Sequence, residues 1–247
     1  MAVHDLGVIE PVHLETGPSI RATPFERSLD KAPRRLLNAT QRRQLADLAT
    51  VVILPPRTIV YREDADGAWI FFAGAGVLKA FRELPSGKRR VATFVFPGDV
   101  FGITEGGHYL NSVQTVTKVK LYRIGIEALR DAVREDPHLQ FQLLCKAIHE
   151  LRQGQRHAIL LGRRDAPGRL AMCFAMLERN LSTDDHADVI ALPMSRTDMA
   201  DHLGLTIETV CRVLAHLRRD GTIAIERGSV EIYDIAGLQQ MASGPRH

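Results

Sequence analysis

The chain has 247 residues with 45% hydrophobic and 25% charged residues and a formal net charge of +3, which suits one large or two small domains with an apolar core. We expect neither a membrane span nor a signal peptide, since no apolar run is long enough and the N-terminus lacks a charged-then-apolar layout. Three widely spaced cysteines, Cys145, Cys173 and Cys211, exclude a disulfide scaffold and indicate a reducing cytoplasm.

The first half of the chain changes from an irregular arm to a period-two pattern. Residues 1–35 contain four prolines and no sustained periodicity, so we predict an irregular N-terminal arm. A short helix is predicted over residues 38–49. Many short, glycine-separated strands then indicate a barrel or roll, which we assign to residues 36–126. The predicted strands are residues 53–54, 58–61, 69–72, 77–81, 90–95 and 116–124.

A long helix with a heptad seam is predicted over residues 127–162. Its seam residues recur at alternating spacings of three and four, which is typical of a helix that pairs with another helix. The alternative is a helix that packs on its own sheet. Gly162 to Gly168, with Pro167, ends the helix and forms a hinge. The seam residues are Phe141, Leu144, Ile148, Leu151, Gln155 and Ala158.

After a further predicted helix at residues 169–180, residues 195–221 have the pattern of a helix-turn-helix. The first helix ends at Gly204, where a helix C-cap needs a left-handed backbone. Thr206 is suited to cap the second helix. The inner stripe of the first helix and the buried side of the second follow helical spacing: Met199, Ala200 and Leu203, then Ile207, Val210, Val213, Leu214 and Leu217.

The second helix also carries a polar face. Glu208 and Arg212 lie one turn apart on it, and an acceptor and a forked donor so placed can read base edges in a DNA major groove. The alternative is a two-helix corner with a solvated polar face. The other candidate DNA-binding residues on or near this face are Thr206, Thr209, Cys211, His216, Arg219 and Arg196.

A hairpin is predicted directly after the helix-turn-helix. Residues 222–225 and 230–233 alternate around a turn, which completes a winged helix over residues 166–240. At the tip of the wing, Arg227 could contact phosphate. From Arg163 onward the chain has ten arginines and no lysine against twelve acidic residues. DNA binding is therefore predicted from the pattern of residues in the helix-turn-helix and not from the net charge of this part of the chain.

A family resemblance is carried by residues 192–212, LPMSRTDMADHLGLTIETVCR. This run resembles the CRP/FNR superfamily of bacterial transcription regulators, and within it the FixK-type branch. In that family the Glu and Arg of an E-T-V-x-R helix read a G·C pair in each half of a palindrome, which implies these roles for Glu208 and Arg212. The position before the arginine is often Ser or Gly in the family. Here it is Cys211, so the site preference does not carry over directly.

The resemblance implies an α+β fold with an N-terminal jelly-roll sensor domain like the cyclic-nucleotide-binding domain, a long dimerisation helix and a C-terminal winged helix-turn-helix. Residues 96–102 match the central turn of that sensor. The family uses the long helix as a parallel dimer interface, so we expect a homodimer that reads a palindrome with heads about one turn of duplex apart. The expected partners are double-stranded DNA, a second copy of the chain and RNA polymerase, without a membrane.

Activators of this family contact RNA polymerase through exposed sensor loops. The segment at residues 84–88, Leu-Pro-Ser-Gly-Lys, is a candidate for such a loop. An ordinary hairpin turn explains its composition equally well. The resemblance thus implies a regulator that is an activator, without identifying the polymerase contact.

We expect no cofactor. Members that bind cyclic nucleotides hold the phosphate with an Arg-Ser or Arg-Thr pair after the central turn, because a guanidinium is the natural partner of a phosphate. This chain has no arginine between Arg90 and Arg123. Members that sense oxygen bind an iron–sulfur cluster through several cysteines, and this chain has none before Cys145. The scattered histidines predict no metal or haem site.

Two forms of control remain open. The protein is either active whenever it is made, or Cys211 is a redox switch. Cys211 lies on the reading face, and Arg212 beside it could stabilise a thiolate. Oxidation would add bulk and negative charge against DNA phosphate. The alternative is an inert small residue in the groove.

Two other functions compete with an activator. One is a ligand-gated repressor with a small-molecule effector in the sensor domain. The other is an enzyme on a cupin-like barrel, which would need a metal cluster in the strands. His108 is the one histidine between His13 and His138, so the strands lack such a cluster and we expect no enzyme.

Overall fold

The computed structural model describes residues 37–104, 106–162, 165–181, 189–226 and 228–243. The predicted irregular arm at residues 1–35 and the wing-tip residue Arg227 lie outside these ranges. None of the described helices is both long and apolar enough to cross a membrane.

The N-terminal domain begins with a short helix, α1 (Ala39–Leu48), and continues as a roll of two antiparallel sheets. One sheet has the order β1-β8-β3-β6 and the other β2-β7-β4-β5, where the strands are β1 (Thr50–Leu54), β2 (Ile59–Tyr61), β3 (Trp69–Ala75), β4 (Leu78–Glu83), β5 (Arg89–Val95), β6 (Val100–Phe101), β7 (Ser112–Thr115) and β8 (Val119–Gly125). This topology confirms the predicted jelly roll.

The central turn at residues 96–99 has a fixed geometry. Gly98 adopts a φ of 90°, and its amide donates to Ala73 O at 2.8 Å. The Asp99 carboxylate accepts from the amide of Phe96 at 2.9 Å. A residue with a Cβ would be strained at this φ, so the glycine is needed for the turn.

The predicted strand over residues 116–124 is in fact the end of a loop and one strand, β8. The preceding strand, β7, was not predicted and lies in the other sheet. Between them the amides of Val116 and Thr117 donate to Val77 O at 2.8 and 3.2 Å, which turns the chain from one sheet to the other. The polar sequence of β7, Ser-Val-Gln-Thr, carries little strand signal.

The predicted helix over residues 127–162 is two helices, α2 (Ile126–Glu135) and α3 (Pro137–Gly162). They separate at Asp136, whose backbone is extended because the residue before a proline is disfavoured in helical conformation. The Asp136 carboxylate accepts from the amides of His138 and Leu139 at 2.9 and 3.1 Å. It thus caps the start of α3.

The C-terminal domain is a winged helix, as predicted. Its elements are α4 (Ala166–Leu181), β9 (Val189–Ala191), α5 (Arg196–Leu203), α6 (Ile207–Arg219), β10 (Ile223–Glu226), β11 (Ser229–Ile232) and α7 (Ile235–Ser243). The sheet order is β10-β11-β9. The short strand β9 and helix α7 were not predicted from the sequence.

The core of this domain forms under α6. Val210, Val213, Leu214 and Leu217 are buried against α4 and α5, as predicted. The prediction that Ile207 is buried is wrong, since 41% of it is exposed. Ile207 is the first residue of α6, and the helix is buried only from Val210 onward.

The winged helix packs directly on the roll. Phe81, Val91 and Phe94 of the roll share one apolar cluster with Met199 and Leu203 of α5. Strands β4 and β5 therefore hold the first helix of the helix-turn-helix against the sensor domain.

Candidate nucleic-acid interface

The turn between α5 and α6 is fixed by its caps. Gly204 has φ 63° and ψ 33°, the predicted left-handed conformation. The Thr206 hydroxyl accepts from the amide of Thr209 at 3.2 Å and caps α6, also as predicted. The Arg169 guanidinium of α4 donates to Leu203 O at 2.9 Å and Gly204 O at 3.3 Å. These contacts set the direction in which α6 leaves the turn.

This role of Arg169 is not evident from the sequence. Its two acceptors are carbonyl groups at the end of α5, where backbone carbonyls lack helical partners. The signal is a lone arginine in the first turn of an apolar helix. That signal does not reveal which helix end the side chain reaches.

Glu208 and Arg212 stand on the exposed side of α6, one turn apart. Hydrogen bonds from its own backbone amide and from the Thr206 hydroxyl lower the pKa of Glu208, so it is an ionised acceptor at neutral pH. Arg212 Nη2 lies 3.5 Å from Thr209 Oγ1. The structure thus brings a carboxylate, a hydroxyl and a guanidinium together at the start of α6.

Cys211 is exposed beside this group. Arg196, the first residue of α5, is half-buried with its Nη1 3.7 Å from Met199 Sδ. Desolvation lowers the pKa of Arg196, and the nearby Cys211 opposes this shift. A cation besides Arg212 therefore lies near the thiol, which the linear sequence did not indicate.

His216 and Arg219 are exposed farther along α6, away from Glu208. His216 Nδ1 lies 3.1 Å from a carboxylate oxygen of Asp220. The structure therefore separates these two candidates from the compact group at the start of the helix. The predicted phosphate contact Arg227 lies outside the described residues.

The heptad seam of α3 is uncovered in the chain. Phe141, Leu144 and Leu151 are 57%, 55% and 63% exposed. Gln155 and Ala158 are also exposed, while Ile148 is half-buried. The opposite side of the helix carries its buried residues, Leu139, Lys146 and Leu160. The helix packs on the protein through that side, and not through its seam.

Four aromatic side chains of the roll pack against one another. Tyr61 and Tyr109 stack with ring centroids 3.8 Å apart, and Phe71 and Phe101 stack at 5.2 Å. The Tyr109 hydroxyl donates to Trp69 O at 2.9 Å. The segment that carries Tyr109 is thereby fastened to β3.

The candidate polymerase loop at residues 84–88 is the exposed turn between β4 and β5. The amide of Leu84 donates to Lys88 O at 2.8 Å, and the amide of Gly87 to Leu84 O at the same distance. Leu84 is 39% exposed. The segment is an ordered hairpin turn with an apolar side chain at the surface.

Two family models match the chain: the Crp-like helix-turn-helix domain at residues 168–241 and the cyclic nucleotide-binding domain at residues 51–136. The nitrogen fixation regulation protein FixK of Bradyrhizobium diazoefficiens is 33% identical over 84% of this chain and 88% of its own length. The transcriptional activatory protein AadR of Rhodopseudomonas palustris is 28% identical over 79% of this chain and 82% of its own length.

Among solved structures, FixK2 from Bradyrhizobium japonicum superimposes with a TM-score of 0.74 and 27% identity. The match covers 80% of this chain and 99% of FixK2. These similarities extend over both domains and confirm the resemblance carried by residues 192–212. Relatives in this family are transcription regulators and not enzymes. The chain therefore belongs to the CRP/FNR family of DNA-binding transcription regulators.

Proposed function

We propose that the protein is a homodimeric activator that reads a palindromic DNA site with α6 of each subunit. One observation carries the proposal: Glu208 and Arg212 stand together on the exposed side of a helix whose other side is buried. A helix seated in this way can enter a major groove without unfolding any part of the core.

Direct base reading is assigned to the start of α6. The Arg212 guanidinium can donate two hydrogen bonds to a guanine, and the Glu208 carboxylate can accept from a cytosine amino group. Thr206, Thr209 and Cys211 adjoin these two residues. We assign backbone contacts to the more distant Arg196, His216, Arg219 and Arg227.

The dimer is proposed to form through the seam of α3. An exposed apolar row along a helix is covered when a second copy lays the same row against it. In a parallel pair the two winged helices lie at the same end of the dimer. That arrangement suits two reading heads on one face of a duplex.

The regulator is proposed to work without cyclic nucleotide and without an iron–sulfur cluster. The lack of arginine between Arg90 and Arg123 supports the first point, because no guanidinium follows the central turn to hold a phosphate. The lack of cysteine before Cys145 supports the second. A ligand-gated repressor remains the competing function, and it requires an effector site in the protein.

Activation is supported by the similarity to AadR, a transcriptional activatory protein. The exposed hairpin at residues 84–88 offers an ordered surface for contact with RNA polymerase. Expression from a reporter promoter that carries the selected DNA site tests this point. Loss of transcription with retained DNA binding in a Leu84→Ser variant is expected if the hairpin is the contact.

A second form of control is proposed for Cys211. It is exposed on the reading face, where an oxidant can reach it, and Arg196 lies nearby. Cys173, by contrast, is buried in the core, and burial raises the pKa of its thiol to about 12. Oxidants should therefore act on Cys211 in preference to Cys173.

Selection of duplexes from a random library tests the DNA-reading proposal. The wild-type protein is expected to enrich an inverted repeat whose half-sites lie about one helical turn apart. A Glu208→Ala, Arg212→Ala variant is expected to enrich no consensus. Enrichment of a single half-site, or of the same repeat by the double variant, would contradict the proposal.

A further inference from the structure

A cavity of about 620 Å³ lies between the sensor domain and the winged helix. Its walls come from β5 through Thr93, from α3 through His157, from α4 through Met172 and Met176, and from α5 through His202. This volume falls within the range of about 300–1,000 Å³ that small-molecule sites occupy. The aromatic residues packed between the two sheets of the roll do not line this cavity.

The proposed dimer leaves this cavity on its outer side. The α3 residues Gln153, His157 and Leu160 line it. At about 100° per residue they lie on the side of α3 away from Leu151 in the seam. Ile159 and Gly154 also line the cavity and flank the seam, so a second copy would border the cavity but would leave its α3 wall at His157 uncovered.

Two arginines give the cavity a positive edge. Arg156 and Arg179 both line it, and both are exposed. Within the described ranges of the chain, neither guanidinium forms an ion pair. Desolvation and the neighbouring Arg156 charge lower the pKa of Arg179, and Glu178 opposes this shift only in part. An anion held by both arginines would relieve their mutual repulsion.

The remaining charged group of the cavity, Glu150, shares one ammonium with Asp99, so this cluster compensates the two arginines only in part. Glu150 lies 2.5 Å from Lys146 Nζ, and the same ammonium lies 2.7 Å from Asp99. Burial lowers the pKa of His157 and of His202, so both rings are neutral at pH 7. The two arginines therefore outweigh the single excess carboxylate charge, and the cavity offers a ligand a net positive charge.

We propose that this cavity binds an amphipathic organic anion. Its apolar body packs against Met172 and Met176, and its acidic group lies between Arg156 and Arg179. Methionine side chains are unbranched and polarisable, so they adapt to apolar ligands of varied shape. Both arginines can donate paired hydrogen bonds to a carboxylate or sulfonate.

Such a ligand would bridge the two domains. Thr93 belongs to the roll, whereas Met176 and Arg179 belong to the winged helix. A molecule that contacts both walls stabilises the docked arrangement by its binding free energy. The inference goes beyond the proposed DNA reading and does not depend on it.

Fluorescence titration with 8-anilinonaphthalene-1-sulfonate tests the site in the full-length dimer. The matched neutral probe is N-phenyl-1-naphthylamine, which has the same ring system without the sulfonate. We expect one sulfonate probe bound per chain. The double variant Arg156→Gln, Arg179→Gln should weaken binding of the sulfonate probe about tenfold, as expected for the loss of charged hydrogen bonds. It should weaken binding of the neutral probe less than about twofold.

Two further variants fill the cavity, one from each domain, so that a folding defect in one of them does not decide the test. Thr93→Phe enters from β5 and Ala175→Phe from α4, and each should abolish binding of both probes. Thermal unfolding identifies a variant that has failed to fold. Arg134→Gln, on exposed α2, removes an arginine far from the cavity and should leave both affinities unchanged.

Three results would overturn the proposal. The first is absence of sulfonate-probe binding by the wild-type dimer, which would mean that protein segments occupy the space. The second is binding that both folded phenylalanine variants retain, which would place the probe on an apolar surface such as the α3 seam. The third is an equal loss of affinity in Arg134→Gln and the double arginine variant.

Discussion

Lys79 of β4 and Asp198 of α5 form a buried ion pair that joins the sensor domain to the helix-turn-helix, with Nζ and Oδ1 2.5 Å apart. Each side chain is 8% exposed. Arg89 of β5 adds contacts of 3.1 Å to Asp198 and 3.0 Å to Asp201. The first helix of the DNA-binding motif is therefore fastened to two neighbouring sensor strands.

Removing one partner of this pair is expected to destabilise the docked domains. Burial alone raises the pKa of Asp198, but hydrogen bonds from Lys79 and Ser195 and the nearby positive charges lower it overall. Lys79→Met leaves that carboxylate buried with less compensation, at a cost of about 3–5 kcal/mol. Urea unfolding measures the change. Lys88→Met, at the exposed hairpin, is the control, and an equal effect of both would contradict the prediction.

Stability is expected to fall as the pH drops below neutrality because of His202. Its ring is 3% exposed, its Nδ1 lies 3.2 Å from Val91 O, and burial lowers its pKa from 6.5 to about 3. Between these two pH values His202 is protonated in the unfolded chain and neutral in the folded chain. Its neutral ring therefore causes no loss of stability above pH 6.5, and the free energy of unfolding declines as the pH falls towards 3. One such group contributes about 1.4 kcal/mol per pH unit.

The free energy of unfolding measured from pH 7.5 to 5 checks this dependence on pH. His202→Gln should flatten the slope, although His157, stacked on it at 4.2 Å and itself lowered in pKa, retains part of it. A wild-type slope in the His202 variant would show that this ring does not cause the effect.

Arg212→Ala is expected to weaken operator binding by about 1–3 kcal/mol per half-site and to relax the preference at one base pair. Gel-shift titrations against the selected site and a site mutated at each position measure both effects. Arg218→Ala removes the same charge from the same helix on a different side. It should weaken binding slightly and equally for every site. Unchanged base preference in Arg212→Ala would exclude direct reading.

Leu151→Glu is expected to give monomers that bind DNA poorly. It is 63% exposed at the centre of the seam, and in a parallel dimer it would place two carboxylates together. Sedimentation velocity measures the oligomeric state. Gln142→Glu introduces the same charge on the far side of α3 and should remain dimeric. A dimeric Leu151 variant would move the interface elsewhere.

Peroxide treatment is expected to abolish operator binding of the wild-type protein and to spare Cys211→Ser. The added oxygens would place negative charge next to DNA phosphate. Cys145→Ser, which keeps the reading-face thiol, should behave as wild type. If wild type and Cys211→Ser respond alike, the thiol is not a switch.

The helix-turn-helix was predictable because its signals are local. The conformation of Gly204 and the cap at Thr206 depend on residues within one turn, and the structure confirms both. The break at Asp136 was also local, since Pro137 follows it, but the apolar periodicity on both sides concealed it. Local patterns thus predicted element type better than element boundaries.

Contacts between distant residues could not be read from the sequence. Lys79 and Asp198 are 119 positions apart. Each is a charged residue of a type that is usually exposed at the protein surface. The cavity likewise depends on how the winged helix meets β5. A histidine such as His202 carries no sequence signal that distinguishes a buried neutral ring from a surface one.

The cap that fixes the turn after α5 has a mechanical consequence. Arg169 holds the end of α5, and the sensor strands hold its beginning through Asp198, so the helix is restrained at both ends. Because a short turn links α5 to α6, a tilt of the β4–β5 hairpin would, in the proposed dimer, change the angle at which α6 of each subunit meets the duplex. In a symmetric dimer, the same small tilt in both subunits would alter which spacing between the two half-sites fits the protein best.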